Sequence, residues 1–99
     1  MAQIVYSRNA IANLERLHRF IADKNPGAAL RALRAIRDRI AILSRFPRFG
    51  RIDPDQPDYR ELLIAFGSSG YVARYRLDGT TAVALAIRHA REAGYRVDD

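Results

Sequence analysis

Five residues, NPGAA at 25–29, constrain this chain more than any others, because they separate two apolar periodicities of helical type and neither can run through them. Pro26 lacks a backbone donor and holds Asn25 in extended geometry, so a helix arriving from the N-terminal side has to stop. The same proline suits the first turn of a new helix capped by the Asn25 side chain. Upstream, Ala10, Ile11, Leu14, Leu17, His18 and Ile21 share one stripe of a helix predicted from residue 8 to about residue 24, with Ser7 as its cap. Downstream, Ala29, Leu33, Ile36, Ile40 and Leu43 follow one face of a second helix that runs to about Phe46. The result is a helical hairpin with two apolar stripes to bury.

A sheet supplies the burial surface. QIVYS at 3–7 reads as a strand, and YRELLIAF (59–66), YVARYRL (71–77) and TAVALAIRH (81–89) read as three more. The last three are joined by GSSG and DGT, which are hairpin-length and glycine-rich. Between helix and meander, RFPRFGRIDPDQPDY (45–59) holds three of the four prolines and reads as a loop, of a length that often carries function. The expected fold class is therefore α+β: an N-terminal strand, the helical hairpin, then a three-stranded antiparallel meander (β-α-α-β-β-β), with the helices packed on one face of the sheet. Ninety-nine residues at 48% hydrophobic content suit one domain spanning 1–99 with one modest core.

Composition then narrows the chemistry. Without cysteine the chain has neither a disulfide framework nor a thiolate zinc site, and its two scattered histidines do not make a metal centre, so no metal or cofactor is expected. There is no apolar run of about 18 residues, and MAQIVYSRNA lacks the features of a signal peptide. A cytoplasmic protein without membrane association is expected. Lys plus Arg is 17 against 11 acidic residues, a net charge of +6, and every cation except Lys24 is arginine. Arginine's planar fork matches phosphate and carboxylate, which suits an anionic partner, either nucleic acid or an acidic protein segment. Arginine as a plain surface cation is the competing reading. It applies most directly to Arg31, Arg34 and Arg45, which with Asp38 form the outer side of the second helix, Arg37 standing at its edge.

Strand alternation places Tyr71, Ala73, Tyr75 and Leu77 on one side of the sheet and Val72, Arg74 and Arg76 on the other. Applied to the last strand, it sets Val83, Leu85 and Ile87 against Ala82, Ala84, Ala86 and Arg88. The bulky face should take the helices. The other would be a basic groove in which small alanines beside Arg74, Arg76 and Arg88 leave room for an anion or a bound segment, with Arg60 as a further candidate. The alternative is that long arginine stems simply cover apolar sheet surface.

The order of elements, together with NLERLHRFIADKNPGAA, FPRFGR, YRELL, GYVARYRL and AIRHAREAGY, resembles the RelE/ParE superfamily of toxins from bacterial type II toxin-antitoxin systems, and is closer to the ParE-like branch. The resemblance covers nearly the whole chain. It implies a toxin neutralised by tight binding of a co-encoded acidic antitoxin that carries a DNA-binding domain, and growth inhibition by ParE-like poisoning of DNA gyrase. ParE-like members are non-catalytic inhibitors. RelE-like members are metal-independent endoribonucleases that cut mRNA on the ribosome, and a non-toxic member retained as a binding partner is the third possibility.

Metal-free RNA cleavage needs a base for the 2′-hydroxyl, an acid for the leaving oxygen and cations for the charged phosphorane. Under a nuclease reading Arg74, His89, Arg91 and Tyr95 are the catalytic candidates, with Glu61 a further proton-transfer group. Tyr95 resembles a tyrosine in the C-terminal segment of RelE-like nucleases, and Arg91 an arginine of that segment once a one-residue gap is allowed. Two departures weigh against this. No lysine follows Lys24, and the usual third-strand arginine falls near Val72. As a binding surface for antitoxin or target, the candidates are Arg60, Arg74, Arg76, Arg88, His89, Arg91 and Tyr95.

Overall fold

The computed structural model describes residues 1–98. Strand β1 (Gln3–Tyr6) leads into helix α1 (Arg8–Ala22), helix α2 (Pro26–Ala41) and a 3-10 turn (Ile42–Ser44); β2 (Arg51–Ile52), β3 (Arg60–Ile64), β4 (Tyr71–Asp78) and β5 (Thr81–His89) follow. The strands form one sheet in the order β1-β5-β4-β3-β2, with β1 parallel to β5 and every other pair antiparallel. The α+β class and the meander are as expected. The short edge strand β2 was not predicted, since two residues acquire strand character only through a distant partner, here Arg60 and Glu61.

Both predicted caps are present. The Ser7 side chain accepts from Ala10 N at 3.0 Å and that of Asn25 accepts from Ala28 N at 3.0 Å, each satisfying a donor that a helix start leaves free. α2 stops as an α-helix at Ala41, short of Phe46, and tightens into 3-10 geometry. The two helices pack on each other and on the sheet through small residues: Ala10, Ala29 and Ala32 on the helices, Ala82 and Ala84 on β5, all buried. Around them Ile36, Ile40, Leu43, Leu62 and Ile87 fill the core, each worth roughly 1.5–3 kcal/mol of burial. Among the described residues, no helix is long and apolar enough to cross a membrane.

The register of β5 corrects the predicted face assignment. Arg74 pairs with Ala86 but Tyr75 pairs with Ala84, so Leu85 is an extra residue and the two-residue alternation restarts across it. Ala82 and Ala84 therefore lie on the helix side with Ile87, where α1 needs small partners. Of the four residues expected on the open face only Ala86 and Arg88 share it with Arg74, and Val83, expected on the helix side, lies opposite Arg76 on the open face instead.

The 45–59 segment is seated on the sheet by one phenol. Tyr75, 1% exposed, donates its hydroxyl to Pro47 O at 2.8 Å and accepts from Gly50 N at 2.8 Å. A Cβ on Gly50 would lie 2.5–2.9 Å from the Tyr75 ring and hydroxyl, so the loop can approach this closely only with glycine. Gly50→Ala is expected to destabilise by about 1–3 kcal/mol, as overpacking against a locked ring does. In a thermal melt this lowers Tm by about 5–20 °C for a domain of this size; an unchanged Tm would show that the loop does not rest on Tyr75.

Candidate functional site

The open face of the sheet carries one row of side chains across four strands: Arg51, Glu61, Arg74 and Ala86, with Arg88 one step along. Arg74 is the centre of this row. Its Nη2 lies 2.9 Å from Asp53 Oδ2, and its guanidinium lies over two phenol rings, 5.0 Å from the Tyr59 centroid and 4.5 Å from that of Tyr95. The Arg88 guanidinium lies 5.1 Å from the same Tyr95 ring, and its Nη1 donates to the carbonyls of His89, Ala90 and Glu92, which fixes the turn after β5.

Tyr95 donates its hydroxyl to Glu61 Oε2 at 2.6 Å, while Arg51 approaches the other carboxylate oxygen at 3.6 Å. Burial, then the hydrogen bond to Glu61 and that group's negative charge, raises the Tyr95 pKa far above the ordinary tyrosine value, against a smaller opposing effect of Arg88. The phenol is thus a firmly protonated donor and the carboxylate an acceptor beside two stacked cations.

The predicted candidates divide between the two faces. Arg74, Arg88 and Tyr95 converge, with Glu61, and Arg76 lies exposed on the same face. Arg60 does not join them. It pairs with Tyr75 on the helix side and donates to Arg48 O at 3.0 Å and Gly50 O at 2.9 Å, serving the same loop as Tyr75. His89 also points to the helix side, as its place next to Arg88 in a strand requires, and meets the Tyr71 ring edge-on at 5.4 Å. Its Nδ1 accepts from Arg91 N at 3.1 Å, and His89 and Arg91 line a cleft with Leu17, Phe20 and Ile21. The four nuclease candidates therefore form two separate pairs.

Reading the sequence missed Asn13. It is fully buried, accepts from Ile87 N at 2.9 Å, and donates to Arg96 O at 3.1 Å and Asp98 Oδ2 at 2.6 Å. The available signal was a polar residue on the buried stripe between Ala10 and Leu17. Arg16 Nε lies 2.8 Å from the same Asp98 oxygen; that hydrogen bond, followed by the one from Asn13, holds the Asp98 carboxyl below the usual range despite the opposing effect of burial.

Because the folded chain holds the Tyr95 proton more tightly than the unfolded chain, the resulting stabilisation is complete below about pH 10 and is lost as pH rises further. Tyr6, Tyr71 and Tyr75 are raised too, chiefly by burial. Urea midpoints should fall as pH rises from about pH 10 to pH 12, less steeply in Tyr95→Phe than in the wild type; identical slopes would mean that neither burial nor Glu61 holds the Tyr95 proton in the folded chain.

Comparison with known proteins agrees with this fold. The family described as "ParE toxin of type II toxin-antitoxin system, parDE" matches residues 4–94. Toxin RelE3 of Caulobacter vibrioides is 33% identical over 92 residues, covering 93% of this chain and 98% of that protein. Toxin RelE1 of the same organism is 33% identical over 89 residues, covering 90% and 94%. A solved chain of the chromosomal ParDE TA system from P. aeruginosa superposes with a TM-score of 0.77 at 22% identity, covering 92% of this chain and 98% of that one. With a helical hairpin on an antiparallel meander, and a family match over nearly its full length, this chain belongs to the ParE toxin family of type II toxin-antitoxin systems.

Proposed function

We propose that this toxin arrests growth by binding, in the ParE-like manner of poisoning DNA gyrase, and that a co-encoded acidic antitoxin with a DNA-binding domain neutralises it. The observation that carries this reading is the internal use of the open-face cations. Arg74 is committed to Asp53 and two tyrosines and Arg88 to backbone carbonyls, while His89 and Arg91 lie on the opposite side. This arrangement favours a recognition surface over a phosphate-processing site. The net charge of +6 would speed encounter with an acidic antitoxin, and apolar contacts would set the lifetime of the complex. Arg76, Arg91 and the outer arginines of α2 are exposed and free to contribute charge to that encounter.

One observation supports the RelE-like alternative, a ribosome-dependent mRNA endonuclease. The phenol of Tyr95, the carboxylate of Glu61 and the guanidinium groups of Arg74 and Arg88 already form a donor, an acceptor and two cations on one face.

Induction with and without the antitoxin separates these readings. Under the gyrase reading, toxin alone stops growth, purified toxin inhibits supercoiling, and ribosome-bound mRNA stays intact. Under the nuclease reading, mRNA cuts appear only with ribosomes and fall by about a thousandfold or more in an Arg74/His89/Tyr95 triple alanine variant. Unimpaired growth on induction without antitoxin would reject both.

A further inference from the structure

The edge of β5 is only half covered by strand. β1 pairs with residues 81–84 and then leaves the sheet at Ser7, so residues 85–89 have no strand on that side. Two side-chain amides of α1 take the vacant place. Asn13 accepts from Ile87 N and donates to Arg96 O. Asn9 donates to Leu85 O at 3.2 Å and accepts from Asp98 N at 2.9 Å. Each amide thus bonds the sheet on one side and residues 96–98 on the other, as a peptide group in a neighbouring strand would.

The segment attached in this way has little else to hold it. Gly94, Arg96 and Val97 are exposed, Val97 at 84%. Among the described residues, no backbone-to-backbone hydrogen bond joins residues 93–98 to the sheet. Its attachments are side-chain contacts: Asn9, Asn13 and Arg16 at the far end, and Glu61, Arg74 and Arg88 around Tyr95. Apart from the Tyr95 ring the segment buries little apolar surface, and its contacts are polar and replaceable, which places it at the low end of local stability. Its release would leave the Ile87–Asn13 bond and the whole β-ladder intact.

Release would also change the open face. The Nε atoms of Arg74 and Arg88 are buried and have no hydrogen-bond partner among the described residues, and both guanidinium groups lie against the Tyr95 ring. Lifting that ring uncovers two adjacent guanidinium groups with donors to spare, a fit for a phosphate or polyphosphate group.

We propose that residues 94–98 are a latch, with Asn9 and Asn13 as positioning residues that hold it where a sixth strand would lie, and that opening the latch turns the Arg74–Arg88 pair from a tyrosine-covered cluster into an anion-accepting site. The sheet stays folded while the latch opens, so closed and open forms are two states of one native protein.

Nitration of Tyr95 by tetranitromethane on the full chain, located by mass spectrometry and combined with titration of inorganic pyrophosphate, tests this. Asp98→Ala cuts the latch from Asn13 and Arg16. Asn9→Ala cuts it without altering charge, which separates release from a general gain in positive potential. In both variants Tyr95 should be nitrated about tenfold faster than in wild type or more, with hydrogen exchange of the β4 amides unchanged, since local opening is decoupled from global unfolding. Both should also bind pyrophosphate about tenfold more tightly, and adding Arg88→Gln should remove the gain. The latch is refuted if Tyr95 nitration is unchanged in both variants, or rises only together with exchange of the β4 amides. Equal pyrophosphate affinity in wild type and Asn9→Ala refutes the gating of the arginine pair.

Discussion

The hydrogen bond from Ile87 N to Asn13 Oδ1 closes a gap that the topology opens. β5 is nine residues long and its parallel partner β1 only four, because Ser7 ends β1 and caps α1 at once. A buried strand N–H without an acceptor would cost about 1–3 kcal/mol, so the helix that leaves the sheet early has to return an acceptor to the edge it abandoned. Asn13 does so in the second turn of α1, and its own burial is tolerable because both ends of its amide are bonded. The position of α1 over β5, the need for Ala82 and Ala84 beneath it, and the seat of residues 96–98 all follow from that closure.

The faces of the sheet then take different roles. The helix face holds the core and, through Tyr75 and Arg60, clamps the 47–50 loop from below. The open face gathers charge but pairs it internally, so that cations are stacked on phenols and a carboxylate holds a phenolic proton. This differs from a row of arginines displayed to solvent. Such stacking stiffens the guanidinium groups and lowers their readiness to meet an outside anion.

Much of the architecture is legible in the residues alone. Ser7 and Asn25 are caps because their short side chains reach the free amides of a helix start, and NPGAA separates two helices because proline cannot continue the first. The parity of β4 is also readable, and with it the shared face of Arg74 and Arg76. Even the separation of Arg88 from His89 was available, since neighbours in a strand point opposite ways. Leu85 was not legible: a bulge depends on how two strands settle against a helix, and a run of alternating small and large apolar residues gives no sign of it. Nor was β2, whose two residues pair only because β3 passes beside them.

The sequence by itself determined the local order, the caps, the charge and the kinship, because each is set by contacts within a few residues or by composition. Only the tertiary structure decided which cations meet which partners. Asp53 with Arg74, Glu61 with Tyr95 and Asn13 with Ile87 join residues 21, 34 and 74 positions apart, and such pairings are fixed by sheet register and helix placement, which no short stretch of chain encodes.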